Sequence, residues 1–381
     1  MSEFRRRLMM GMMGMMGGGG ITNVIRIDQT ISDPYKMISG DVNGEVVKWI
    51  RQNSHRVLAK KTAEGMITYC RLDDSNSNFY HDGSAAVLDG TQGDVFVKLP
   101  TFYYAGTEGN NVEITFSRKP FEGSIEWDTN ILIGVYESYN NGGKAYSRSG
   151  VESTRSVSQA NWKRNAKARG TGYQLVDWQM HCVLGCLYYA MYGNTNCQAT
   201  IGAGTNSYGK ITGETDALGM TDTVAGGNGD SGSVNFWGLE NWWGNKYEWM
   251  EDDQVNPSAK QFTVYDPVTK GTRIIPFKYF NGGFVKKMKF GRYLDLINTE
   301  DNDQRGSDST SYCDYQYWPD SGYTRVVQRS RNYSGKIGGV AYAAADSDSS
   351  GAYSSYGSRL AFRGECTEET NVTTFKSLSV L

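Results

Sequence analysis

Apolar residues recur in short alternating runs along most of the chain, and a single segment carries a long helical pattern. Val24, Ile25 and Ile27 predict a strand, while Val46, Val47 and Ile50 put one apolar face on a helix over residues 45–52. Residues 56–59 and 66–69 predict two strands around Glu64-Gly65. Val95, Val97 and Leu99 alternate up to Pro100, and residues 102–104 continue as strand. Residues 131–136 read as a buried strand. Asn141-Gly142-Gly143 predicts a tight hairpin turn, and Asn281-Gly282-Gly283 predicts another between residues 274–280 and 284–290. In the helical segment, Asp177 stands as N-cap for residues 178–192 and Gly193 where a terminating glycine belongs. Met180, Leu184, Leu187 and Met191 form one stripe facing a core.

Three regions follow from these patterns. Residues 1–20 form a Met/Gly-rich arm in which Arg5, Arg6 and Arg7 precede Met9 and Met10. Its apolar run is short and broken by Gly11 and Gly14, unlike a signal peptide or a membrane span. Methionine is unbranched and adaptable, so these five residues are the expected contacts to a partner groove. Residues 21–75 form a small unit, marginal as an independent fold. The polar run at residues 73–78 marks its boundary with a main domain at 76–381.

Composition narrows the function. Lys+Arg number 39 against 41 Asp+Glu, a net charge of -2, whereas nucleic-acid binders carry a basic excess. The chain has 25 Tyr and 46 Gly in 381 residues, which favours a β-rich binding protein over a helical enzyme. Six cysteines without CxxC spacing predict free, packed thiols rather than a disulfide scaffold.

Residues 332–358 are almost entirely Ser, Ala, Gly, Tyr and Asp. Antibody paratopes share this bias, because Tyr gives wide contact area at low entropy cost and Ser and Gly adapt. Tyr333, Tyr342, Asp346, Asp348, Tyr353 and Tyr356 are the expected receptor contacts.

Three motifs carry a resemblance. Residues 172–178 with the following helix, residues 238–249 and residues 358–364 occur in that order. Gly238-Leu239-Glu240-Asn241-Trp242-Trp243-Gly244-Asn245-Lys246-Tyr247-Glu248-Trp249 is the most specific, followed by Ser358-Arg359-Leu360-Ala361-Phe362-Arg363-Gly364. They resemble the C-type-lectin-like domains of the sulfatase-modifying-factor, formylglycine-generating-enzyme branch. Residues 97–104, 131–136 and 192–196 resemble a narrower group, the virion fibre proteins of phages and the variable proteins of diversity-generating retroelements. Residues 49–56 look like the attachment module of gut bacteroidetes phage members. The resemblance implies an α+β class: a C-type-lectin-like domain of twisted antiparallel strands, one or two helices and long loops, preceded by a small attachment module. Trp242, Trp243, Gly244, Asn245, Glu248, Trp249, Arg359, Phe362 and Arg363 would be its scaffold. It implies a homotrimeric virion protein that binds a host-surface glycan or protein, held to other virion proteins through its N-terminal arm. A bacterial surface adhesin or carbohydrate-binding lectin, located at the cell surface, is the alternative.

Enzyme chemistry finds little footing. His55, His81 and His181 are dispersed, without a metal-ligand spacing. Formylglycine-generating oxidases of the resembled branch place redox cysteines before the closing strand, but residues 314–365 contain no cysteine. An oxidoreductase of that type, requiring a reactive cysteine and copper, is the third reading. Asp346-Ser347-Asp348-Ser349-Ser350-Gly351 starts like a calcium loop, but Gly357 stands where the bidentate Glu belongs. No cofactor is expected; a structural cation would sit near Glu248, Glu251, Asp252 and Asp253. No nucleic acid and no membrane insertion are expected.

Overall fold

The structure is a computed structural model that describes residues 20–227, 232–252, 254–331 and 337–380. A seven-stranded sheet lies at the centre, in the order Tyr173–Leu175, Leu360–Arg363, Ile131–Gly134, Asp94–Lys98, His55–Ala63, Met66–Arg71, Glu365–Glu368. Every neighbouring pair is antiparallel except the last, which is parallel. Successive residues of a strand point to opposite faces, and here both faces are covered. Val95, Val97, Leu58, Ile133 and Ala361 enter the main core, while Val57, Phe96, Leu132 and Phe362 enter a second, smaller one. That two-sided burial is why residues 131–136 read as continuously apolar.

The long helix Trp178–Tyr192 crosses the main core. Asp177 accepts the Met180 N–H at 2.9 Å at its start, and Gly193 closes it in the left-handed region at φ 65. Every residue from Trp178 to Ala190 is buried, so the helix packs on all sides rather than along the single stripe that its sequence suggests.

The unit expected at residues 21–75 does not form a sheet of its own. Thr22–Asp28 pairs along its whole length with Asn111–Ser117, and His55–Ala63 pairs with Asp94–Lys98 in the central sheet. The polar run at 73–78 connects two parts of one interwoven structure. Arg56 shows why these parts stay together. Its buried guanidinium donates to Gly238 O at 2.7 Å, to Thr215 O at 3.1 Å, and to the side chains of Ser77, Thr215 and Asn235.

The class expected from the resemblance, α+β and C-type-lectin-like, is corrected by this architecture. Among the described residues 36% are strand and 13% helix, distributed over seven sheets, so the protein is β-rich. The hairpin expected around Asn281-Gly282-Gly283 is also replaced. Those residues lie inside one bulged strand, Phe280–Phe284, paired with Tyr315–Trp318. The Tyr315 hydroxyl occupies the space where a Cβ on Gly282 would lie, so glycine is needed there for ring packing as well as for its φ of 69. The turn at Asn141-Gly142-Gly143 does form, joining Tyr139–Asn141 to Lys144–Tyr146.

The C-terminal helix Val372–Ser377 is anchored by one buried cation. Lys60 Nζ donates to the carbonyls of Phe375, Lys376 and Leu378 at 2.9, 3.0 and 2.9 Å and lies over the Phe375 ring. A cation at a helix C-terminus neutralises carbonyls that have no helical partner. Lys60→Met is therefore expected to speed amide exchange in residues 372–378 by about tenfold or more, leaving exchange in the long helix unchanged. Equal exchange at both places would refute the anchoring role.

Candidate functional site

The second large sheet has six strands, in the order Phe280–Phe284, Tyr315–Trp318, Ala343–Ser347, Val326–Arg329, Tyr247–Trp249, Tyr356–Ser358. Its foundation is a buried charge cluster. Glu248 accepts from Arg329 and, at 2.6 Å, from Nη2 of Arg359; all three side chains are essentially inaccessible. Arg359 also donates to the carbonyls of Gly134, Val135, Glu240 and Asn241 at 3.0, 2.6, 2.8 and 3.1 Å. The Trp242 ring lies 3.4 Å from the Arg329 guanidinium carbon and 5.7 Å from that of Arg359, so cation–π attraction adds to the pairing. Burial, reinforced by the neighbouring Arg359, pulls Arg329 down to about 10, while Glu248 pulls the other way.

The remaining scaffold residues fix loops to this cluster. Trp243 donates to Gly202 O at 2.8 Å and Trp249 to Val157 O at 3.1 Å. Trp242 makes no such bond, and its indole faces the arginines instead. Gly244 and Asn245 take φ of 92 and 54, and Asn245 donates to Glu137 at 2.6 Å. Phe362 is buried in the smaller core, and Arg363 reaches Asp177 at 2.6 Å. The cation site expected near Glu248 is occupied by arginines. Glu251 accepts Leu175 N–H, Asp252 accepts Trp178 and Tyr265 N–H, and Asp253 lies outside the described residues. Among the described residues no group of three or more His, Cys, Asp or Glu is placed to hold a metal ion.

Above this foundation, aromatic rings run in contact across the sheet. Phe284 meets Tyr315, Tyr315 stacks on Tyr342 at 6.4 Å, and Tyr342 meets Tyr247 at 6.0 Å. Tyr247 and Trp249 both meet Tyr356 edge-on at 4.8 and 4.7 Å, and Tyr353 meets Tyr356 at 5.0 Å. Tyr353 is 50% exposed, and Tyr323, under the Arg325 guanidinium at 4.5 Å, is 56% exposed. Asp346 is exposed and accepts from Gln328 Nε2, with the Tyr356 hydroxyl 3.4 Å away.

The expected receptor contacts thus divide. Tyr353 and Asp346 stand at the surface, and Asp348 is half-buried, accepting Ser350 N–H at 2.8 Å. Tyr342 and Tyr356 are corrected from contact residues to packing residues: they are 2% and 6% exposed, because their rings hold the row together. Tyr333 and the arm residues Arg5, Arg6, Arg7, Met9 and Met10 lie outside the described residues. Missed from sequence were Tyr315, Tyr317, Tyr323, Arg325 and Gln328. Tyr315 and Tyr317 alternate with Gln316 and Trp318, a period-two signal that was present in the sequence.

His181 is wholly buried, with Nδ1 3.4 Å from Nε of Arg329, and burial holds it well below its usual pKa. Burial pushes the Cys70 thiol up to about 11 and Cys313 and Cys366 up to about 12, and holds Cys182, Cys186 and Cys197 well above their ordinary value. No described helix is long and apolar enough to cross a membrane. Fold and site together define a β-rich protein with a ring-lined sheet surface on a buried ionic foundation. No protein-family model matches this sequence, and no curated protein matches it.

Proposed function

We propose that this chain is a non-enzymatic virion structural protein that attaches to a host cell-surface receptor through the ring-lined face. The observation that carries the reading is the row of contacting rings that ends in exposed Tyr353 within a Tyr/Ser/Gly-rich segment. Rings fixed by neighbours lose little entropy on binding, which makes them efficient contact groups. The motif resemblance to phage fibre proteins supplies the virion context. The arm at residues 1–20 would join the chain to other virion proteins, and several copies on one particle, as in a homotrimer, would raise weak single-site affinity by avidity. Protonated, packed thiols accord with a role that alters no covalent bond.

The test is attachment of labelled protein to bacterial cells. Tyr323→Ala together with Tyr353→Ala is expected to weaken attachment about tenfold or more, with the thermal unfolding midpoint unchanged. Tyr356→Ala should instead lower the midpoint, because that ring is buried. Unaltered attachment by the double variant would remove the assignment. Detection of this chain in purified particles tests the virion location separately.

A further inference from the structure

Asp346 makes no ion pair with any described residue, although two arginines stand nearby. Arg325 gives Nη1 to the backbone carbonyl of Asp346, not to its carboxylate, and its guanidinium lies on the Tyr323 ring. Arg331 lies over the Tyr247 ring at 5.5 Å. Burial pushes the phenols of Tyr247, Tyr317, Tyr342 and Tyr356 upward, and the nearby Asp346 carboxylate adds to that shift in each. A second, independent feature lies beside it. Gln328 is wholly buried and gives its Nε2 to Asp346 and to the Tyr356 hydroxyl, yet its Oε1 accepts from nothing.

The exposed Asp346 carboxylate therefore stands among tyrosine rings without an ion-pair partner among the described residues, because the two neighbouring arginines are turned to a backbone carbonyl and to ring faces, and a buried unpartnered acceptor lies on the adjoining Gln328 side chain. Ammonium groups are attracted by carboxylates and by aromatic faces alike, whereas a neutral hydroxyl or N-acetyl group can donate to the carboxylate but brings no charge of its own. The exposed rings of Tyr323 and Tyr353 nearby offer flat apolar surfaces of the kind on which a pyranose can stack. We infer that the receptor group recognised by this face is an amino sugar with a free primary ammonium, seated against Asp346 and its surrounding tyrosines. This rests on the receptor-binding reading of the same face.

The test is calorimetric titration of the full chain with glucosamine and N-acetylglucosamine oligosaccharides of equal length, at a pH that keeps the amine protonated. The free amine is expected to bind about tenfold more tightly. Asp346→Asn should abolish that preference, because the amide keeps the hydrogen bonding but loses the charge, while Asp348→Asn should keep it. Equal binding of both sugars, or a preference that survives Asp346→Asn, would overturn the inference. So would tighter binding of a lysine-rich peptide than of either sugar. If the tyrosine double variant loses cell attachment while the sugars are bound equally, the amino-sugar inference falls and the receptor-binding reading stands. If that variant attaches normally, the broader reading itself falls.

Discussion

Arg359→Met is expected to destabilise the protein by about 3–5 kcal/mol, the usual cost of removing one partner from a buried ion pair. Arg359 supplies donors to Glu248 and to four backbone carbonyls on two other segments, residues 134–135 and 240–241. Methionine fills much of the same volume but leaves those carbonyls short of a donor in a site without water access. Natural domains are stable by only about 5–15 kcal/mol, so a loss of this size consumes much of the total. Glu248→Gln should be at least as harmful, since it leaves Arg329 and Arg359 buried together without their carboxylate. Arg359→Lys should fall between, keeping the charge but lacking the planar fork that reaches several acceptors at once. Urea denaturation measures all three. A Met variant within about 1 kcal/mol of the parent would show that the network is dispensable.

The residues of this foundation were legible in sequence in unequal measure. Trp242, Trp243, Glu248, Trp249 and Arg359 lie in the compact motifs that carry the family resemblance, and the resemblance is what marks them as scaffold. Arg329 lies 81 residues from Glu248 in a short strand with no distinguishing neighbours, and nothing local announces its role. The proposed receptor face shows the same limit. Composition singled out the segment that contains Tyr342, Tyr353 and Tyr356, but composition carries no information on which rings a neighbouring strand will cover. Tyr342 is covered because Tyr315 and Tyr247 approach from strands 27 and 95 residues earlier.

The α+β class rests on the resemblance carried by three motifs, whereas the short alternating runs and the Tyr- and Gly-rich composition point to the β-rich content that the structure has, most of it in strands of three to five residues. Polarity at residues 73–78 marks a surface loop as readily as a linker, and it carries no sign of the strands that return across it, Asn111–Ser117 to Thr22–Asp28, Asp94–Lys98 to His55–Ala63 and Glu365–Glu368 to Met66–Arg71.

Asp314→Asn is expected to stabilise the protein progressively relative to the parent as the pH rises. Asp314 is buried at the start of the Tyr315–Trp318 strand, where its Oδ2 accepts Ala341 N–H at 2.8 Å. Gly339 sits so close that a Cβ there would collide with Oδ1, and no cation among the described residues pairs with the carboxyl. Burial pushes it up to about 8 from an ordinary 3.8, only partly opposed by the Ala341 hydrogen bond. Between those two values the folded chain holds a proton that the unfolded chain has released, so raising the pH favours unfolding. The stability due to Asp314 is complete below pH 3.8 and is lost as pH rises through about 8. Each pH unit inside that window should lower the parent's folding constant about tenfold relative to the Asn variant, which has no proton to release. His181, a base held neutral by burial, acts in the opposite sense and weakens the fold as pH falls below its ordinary 6.5. The comparison therefore needs the variant at every pH rather than the parent's profile alone, since both proteins share the histidine. Parallel stability curves for the two proteins from pH 5 to pH 9 would show that the carboxyl is ionised or water-accessible in the folded state.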